Sequence, residues 1–132
     1  MQGFRQTASR LGLPFGPRQK TFNTRLAQEV GLWADEQGKG ASFHMAAFKA
    51  YMADGQNIAS KDVLLKLVES AGLSPEKADE IIEKRVFQDA VDKEWAMARK
   101  IDITAVPTLV MGKRKLVGAQ PYEQMLNFVQ HP

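Results

Sequence analysis

The sequence predicts an α/β fold that is mostly helical, with a long helical region followed by a β-hairpin and a final helix. Up to about residue 100, apolar residues recur at the 3.6-residue spacing of amphipathic helices, and glycines and prolines separate the helices. After Ile101 the pattern changes to two short apolar and β-branched runs, Thr108–Met111 and Lys115–Val117, with Gly112-Lys113-Arg114 between them as a turn. The length of 132 residues suits a single domain, helical over 1–100 and hairpin-containing over 101–132.

Six helices are predicted before residue 101. The first ends at Gly12 and is followed by a loop to residue 20, and the sixth ends near Lys100. The other four begin at residues whose side chains can accept a backbone hydrogen bond, Asn23, Ser42, Ser60 and Ser74, the last followed by Pro75. The apolar stripes of helices two to six predict the core: Leu26, Ala27, Val30, Trp33, Ala34, Phe43, Ala46, Ala47, Ala50, Tyr51, Val63, Leu64, Leu67, Val68, Ala71, Ala78, Ile81, Ile82, Phe87, Ala90, Val91, Trp95 and Ala98. The aromatic residues could instead line a ligand pocket between helices, but core packing is the favoured interpretation of Trp33, Phe43, Phe48, Tyr51 and Trp95.

The end of the chain poses a structural problem. Gly118 ends the second strand, and Pro121 opens a last helix whose predicted inward side chains are Tyr122, Met125, Leu126 and Val129. A lone two-stranded hairpin is marginal in water and leaves both edges unpaired. Because no third strand is evident, we expect a homodimer that buries this edge and the adjacent apolar surface across a two-fold axis.

The composition excludes several kinds of site. The sequence contains no cysteine, so it holds no disulfide, no thiolate nucleophile and no cysteine-ligated metal. His44 and His131 are the only histidines and lie far apart in the sequence, so neither a metal nor another cofactor is expected. The net charge of +3 is spread along the chain apart from Lys113-Arg114-Lys115, which makes nucleic acid an improbable partner.

The sequence also bears on location. No segment approaches the run of about 20 apolar residues that spans a bilayer. Residues 1–6 lack the apolar stretch of a secretory signal. We therefore expect a cytoplasmic protein with no membrane partner.

The string from Ile103 to Val110 carries the most specific signal. Pro107 stands at the start of a strand, where no ladder N–H is required. From the dipeptide alone an ordinary trans bond is the favoured interpretation, since cis is the minority isomer of any X–Pro bond. The order of a helix, a Val-Pro-Thr strand, a hairpin, Gly118-Ala119-Gln120 and a last helix resembles the C-terminal half of thioredoxin-fold proteins, and this resemblance implies a cis Val106–Pro107 bond.

More specifically, the chain resembles the DsbA family as represented by its FrnE-like branch, over almost all of its length. The Val-Pro-Thr strand and the Gly-Ala-Gln motif match, and Asn23-Thr24-Arg25-Leu26-Ala27 resembles the family's Asn-Thr-x-x-Ala helix start. The segments 47–52 and 62–73 match the helical insertion. The resemblance implies an incomplete thioredoxin-like fold in which a DsbA-type helical insertion precedes the C-terminal half.

The chain departs from the family in ways that bear on activity. Asp102 and Ala105 stand where relatives have glycines, Leu109 replaces a phenylalanine, and the strand–helix–strand unit with Cys-x-x-Cys is missing. The family performs thiol–disulfide exchange, for which a thiolate is required. We therefore expect a truncated family member that is redox-inactive as it stands.

The resemblance also implies a binding site. In DsbA-like proteins the residue before the cis-proline pairs with substrate backbone to backbone, which assigns an extended or thiol-containing peptide to Thr104, Ala105, Val106 and Pro107. The alternative is that this loop only connects helix to sheet. A third possibility, from kappa-class glutathione transferases and chromene-carboxylate isomerases, is glutathione held by this loop and by Gly118, Ala119 and Gln120. The function is thus that of a redox-inactive oxidoreductase relative or of a non-enzymatic peptide-binding or dimeric assembly module.

Overall fold

Helices occupy most of the chain. A computed structural model describes residues 2–17 and 20–131. Its helices are α1 (Gln2–Arg10), α2 (Arg25–Glu36), α3 (Gly40–Phe48), α4 (Lys61–Ser70), α5 (Pro75–Glu83), α6 (Gln88–Lys100) and α7 (Tyr122–Gln130). A π-helical turn, Lys49–Ala53, directly continues α3, and an antiparallel hairpin of β1 (Thr108–Met111) and β2 (Arg114–Val117) precedes α7. The predicted mostly helical α/β class is confirmed.

The chain divides into two compact units, Met1–Val91 and Asp92–Pro132. We call them the helical unit and the hairpin unit. The division lies inside α6, a few residues before the position at which the sequence pattern changes. The single-domain organisation with helical and hairpin-containing regions stays a prediction.

The helical unit has a continuous apolar core. Helix α2 packs against α3, α4 and α5, and α3 and α5 also pack against α4. The predicted stripes supply nearly all of the buried side chains, and Val30, Ala34, Phe43, Leu64, Val68 and Ala78 are wholly buried. The sequence period therefore identifies this core correctly.

The predicted helix starts differ in outcome. At α5 the prediction is confirmed, because Ser74 occupies the N-cap and its Oγ accepts a hydrogen bond from the Lys77 N–H at 3.2 Å. Asn23 Oδ1 accepts from the Arg25 N–H at 2.8 Å, although Thr24 occupies the N-cap position of α2. Ser60 occupies the N-cap of α4 without a side-chain hydrogen bond to the helix.

The predicted start of α3 is wrong by three residues, because Lys39 rather than Ser42 occupies the N-cap. The helix begins at Gly40, so Ser42 lies inside its first turn. Gly38 adopts φ +68°, which reverses the chain, and the Lys39 N–H donates to the Ala34 carbonyl at 2.8 Å. A Cβ at Gly40 would overlap the Asp35 carboxylate. The turn at Gly38 and the close approach of Gly40 to Asp35, rather than a serine cap, fix this helix start.

The hairpin is tighter than the sequence suggests. Met111 pairs with Arg114, so Arg114 belongs to β2 and the turn consists of Gly112 and Lys113 alone. Gly112 has φ +60°, as a two-residue hairpin turn requires. Within residues 2–17 and 20–131 the sheet contains only these two strands, so no additional strand covers β1 or β2.

The inward face of α7 differs from the prediction. Tyr122 and Val129 are 68% and 58% exposed, whereas Phe128 is buried. The guanidinium of Arg114 lies 4.7 Å from the centre of the Phe128 ring and holds that side chain against β2. Trp95, predicted to point inward from α6, is likewise 41% exposed.

Candidate functional site

The four residues predicted to form a peptide-binding loop lie together on the surface of the hairpin unit. Thr104, Ala105, Val106 and Pro107 are all exposed, and Val106 is 87% exposed. The Val106–Pro107 peptide bond is cis, the isomer expected from the resemblance. An apolar side chain this accessible at a loop is a feature that packing does not require.

Local hydrogen bonds fix both ends of the loop. On one side Asp102 adopts φ +52°, and the Ile103 N–H donates to the Ala98 carbonyl at 2.9 Å, which ends α6. Aspartate is one of the few residues other than glycine that adopt this left-handed conformation. On the other side the Thr108 hydroxyl donates to the Ala105 carbonyl at 2.7 Å. These hydrogen bonds therefore hold the backbone of the loop in a defined conformation.

The second predicted loop contacts the first at one point. The Gly118 N–H donates to the Pro107 carbonyl at 2.8 Å, and Gly118 has φ +85°. The Gln120 amide donates to the Val117 carbonyl at 2.8 Å and so closes the turn before α7. Ala119 is exposed. In the described part of the chain, no hydrogen bond joins Ala119 or Gln120 to residues 104–106. The structure thus joins Pro107 to Gly118 by a hydrogen bond, but it does not bring the four residues of the first loop and the three of the second together into one site.

The backbone of Val106 offers polar groups for binding. Across the described residues, neither the N–H nor the C=O of Val106 takes part in a hydrogen bond. The loop leads directly into β1, so a strand laid beside it would continue along the direction of that strand. An exposed donor and acceptor on one residue, next to a strand, is the arrangement that strand addition uses.

A charged cluster in the helical unit was missed by the sequence analysis. The carboxylate of Glu29 is 2% exposed and accepts hydrogen bonds from Arg25 Nε at 3.0 Å and from Arg85 Nε at 2.8 Å. The hydrogen bonds from Arg85 hold the pKa of Glu29 below its usual range, against the opposing effect of burial. The i, i+4 spacing of Arg25 and Glu29 is visible in the sequence, but Arg85 lies 56 residues away and no local pattern reveals it. We assign the cluster a stabilising role.

Two further kinds of site can be assessed from the described residues. Within residues 2–17 and 20–131 there is no group of three or more His, Asp or Glu side chains placed to hold a metal ion. None of the helices described there has both the length and the apolar content to cross a bilayer. The expected cytoplasmic location stays a prediction.

Comparison with known proteins places these features in context. A family model described as DSBA-like thioredoxin domain matches residues 1–130. The chain is 36% identical over 97 residues to the Bacillus subtilis protein YwbO. The aligned region covers 73% of this chain and 48% of YwbO. A probable DsbA oxidoreductase from Streptomyces coelicolor superposes with a TM-score of 0.87 at 22% identity, covering 98% of this chain and 57% of the other. The chain thus spans about half the length of the proteins it matches.

Proposed function

The chain belongs to the DSBA-like thioredoxin domain family. From that premise we propose that it binds extended peptides backbone to backbone at residues 104–107. The observation that carries this proposal is Val106, whose side chain is 87% exposed and whose N–H and C=O are unbonded among the described residues. Hydrogen bonds on either side of the loop hold it in place before the peptide arrives. Preorganisation of this kind lowers the entropic cost of binding.

The binding role does not depend on thiol chemistry in the chain. The 132 residues include no cysteine, so they supply no thiolate for attack on a disulfide. We propose that the chain is redox-inactive by itself and contributes substrate binding alone. In an insulin reduction assay with dithiothreitol, the purified protein is expected to match the background rate. A rate above background would contradict this part of the proposal.

The binding role can be tested by titration. The ¹⁵N-labelled chain is titrated with the capped peptide Val-Thr-Cys-Val-Thr and with its serine analogue. Saturable shifts of the amides of Thr104, Ala105 and Val106 are expected for both peptides, because the contact is made by the backbone. Val106→Pro, which removes the N–H, is expected to weaken binding about fivefold, while the matched Val106→Ala retains it. Absence of shifts at these amides would contradict the proposal.

A second candidate function, assembly as a homodimer, is favoured by the apolar surface of the hairpin. Opposite pairs share a face, so Leu109 and Leu116 lie on one face while Val110 and Val117 lie on the other. Leu109, Val110 and Val117 are each more than two-fifths exposed. Exposed apolar side chains on both faces of a two-stranded sheet favour self-association, and about 800 Å² per partner would suit a stable interface.

The dimer is tested by light scattering at micromolar concentration. We expect a dimer, and we expect Leu109→Lys to convert it to a monomer while Lys113→Ala, at the hairpin turn, does not. A monodisperse monomer for the unaltered chain would exclude this function.

Two finer assignments stay proposals. The Gly118-Ala119-Gln120 motif supports a place in the FrnE-like branch. Glutathione binding is the third possibility, and the same titration with reduced glutathione addresses it. Shifts at residues 118–120 with glutathione, and none with the peptides, would favour glutathione.

A further inference from the structure

A cavity of about 320 Å³ lies in the helical unit, apart from the peptide-binding loop of the hairpin unit. Its apolar wall includes Ala27, Phe43, Ala47, Phe48, Tyr51 and Ile58. Ala27, Phe43, Tyr51 and Ile58 are buried, whereas Phe48 is 61% exposed and stands at the mouth. Ligand cavities in proteins begin at about 300 Å³, so this one has room for one or two fused rings but not for a helix.

One edge of the cavity is polar but uncharged. Thr24, at the N-cap of α2, and Gln28 lie one turn apart, and the Gln28 amide donates to the Thr24 hydroxyl at 3.0 Å. The lining also includes the ring of His44, whose Nε2 lies 3.4 Å from an Asp35 carboxylate oxygen, but among its described residues there is no Asp, Glu, Lys or Arg. An apolar wall with an amide and a hydroxyl at one edge complements an uncharged ring that carries one hydrogen-bonding substituent.

The wall of the cavity is shaped by irregular backbone. Tyr51 and Met52 belong to the π-helical turn that follows α3, and such turns frequently occur at functional sites. The Gly16 N–H donates to the Met52 carbonyl at 2.9 Å, and a Cβ at Gly16 would overlap the Ala53 carbonyl. The loop before α2 therefore braces this turn from outside, at a position that only glycine can occupy.

We propose that this cavity is a binding site for a small, uncharged aromatic molecule of phenol or naphthol type. The ring lies between Phe48 and the buried apolar wall, and its hydroxyl is directed to the polar edge formed by Thr24 and Gln28. The proposal is independent of the peptide-binding function, because every residue it uses belongs to the helical unit.

The site is tested by titrating the ¹⁵N-labelled full chain with 2-naphthol. Saturable shifts are expected at amides that line the cavity, such as those of Gln28 and Ala47. Ala47→Phe fills the cavity and should weaken binding about tenfold, while Ala41→Phe, an exposed position on the same helix, should leave it unchanged. Naphthalene-2-sulfonate should bind about tenfold more weakly than 2-naphthol, because the described lining offers no Lys or Arg side chain to pair with the sulfonate.

A second variant keeps the test decisive if Ala47→Phe does not fold. Phe48→Ala removes an exposed ring, so the fold should be retained while 2-naphthol binds about threefold more weakly. Shifts that are unsaturable, that concentrate on residues 92–131, or that persist unchanged in both Ala47→Phe and Phe48→Ala would overturn the proposal. Equal affinity for the sulfonate would overturn the assignment of an uncharged ligand.

Discussion

The helical unit and the hairpin unit obtain their order in different ways. Apolar residues of the helical unit form one buried cluster that extends from Ala27 to Phe87. In the described part of the hairpin unit, Phe128 is the one fully buried apolar side chain, while nine large apolar residues remain exposed. The hairpin unit relies instead on individual hydrogen bonds between its elements, such as those of Arg114 and Gly118.

The difference teaches where binding is expected in this chain. A unit whose apolar side chains are buried is stabilised by its own packing, because each buried side chain contributes about 1.5–3 kcal/mol. A unit that leaves such side chains exposed gains more stability when a binding partner covers them. The peptide-binding loop and the hairpin faces both belong to the second kind, which is why we place peptide binding and self-association there.

The largest expected effect comes from the same substitution made in both units. Leu64 is wholly buried in the helical unit, and Leu64→Ala should lower the free energy of unfolding by about 3 kcal/mol. Leu109 is 42% exposed in the hairpin, and Leu109→Ala should cost less than about 1 kcal/mol. Urea unfolding followed by circular dichroism measures both. Equal losses would contradict the distinction between the units.

A smaller loss is expected from the charged cluster of the helical unit. Glu29→Gln keeps the shape of the side chain but removes the charge that Arg25 and Arg85 bind. We expect a loss of about 2 kcal/mol at neutral pH, less than for a fully buried pair because Arg85 is 45% exposed. The control is Glu80→Gln, whose only described ion pair, with Lys84, is exposed, and this change should have little effect.

The effect of Glu29→Gln should depend on pH. The pKa of Glu29 is lowered in the folded state, so its contribution is fully present above the unfolded value of about 4.3 and is lost as pH falls through the folded pKa. The stability difference between the variant and the unaltered protein should therefore shrink on acidification below about pH 4. A difference that grows on acidification would contradict the sign of this shift.

The smallest stability effect concerns the hairpin unit. Arg114 lies over the Phe128 ring and donates to the carbonyl oxygens of Phe128 and His131 at the end of α7. Arg114→Ala should destabilise this contact by about 1 kcal/mol and speed amide hydrogen exchange in α7. Lys113→Ala, one residue away in the turn, should leave the exchange unchanged. Equal exchange in both variants would show that Arg114 does not hold α7.

Local chemistry explains which parts of the fold were predictable. The start of α5 depends only on neighbouring residues, because Ser74 caps the helix through the Lys77 N–H and Pro75 follows it. The 3.6-residue stripes identify the core because each helix buries one face. The start of α3 depends on the close approach of Gly40 to Asp35 across one turn, and the inward face of α7 depends on the contact of Phe128 with Arg114 in β2. Hydrophobic periodicity cannot reveal contacts of that kind.

The candidate sites follow the same division. The Ala105-Val106-Pro107 string and Gly118 were identified from motifs, and the structure links Pro107 to Gly118 by a hydrogen bond. For the cavity beside Phe43 the sequence favoured core packing over a ligand pocket, because the lining comes from four segments of the chain and aromatic residues at helical spacing resemble ordinary core. The π-helical turn that shapes it has no signature in the sequence.

The central claim is that the backbone of Val106 binds an extended peptide, and peptides altered only in their backbone test it most directly. A series of Val-Thr-Cys-Val-Thr peptides, each methylated on one amide nitrogen, is titrated by calorimetry against the unaltered chain. The account predicts that methylation at the position opposite Val106 lowers affinity about fivefold, with little change at the neighbouring amides, which point away from the loop. Equal affinity across the whole series would contradict it.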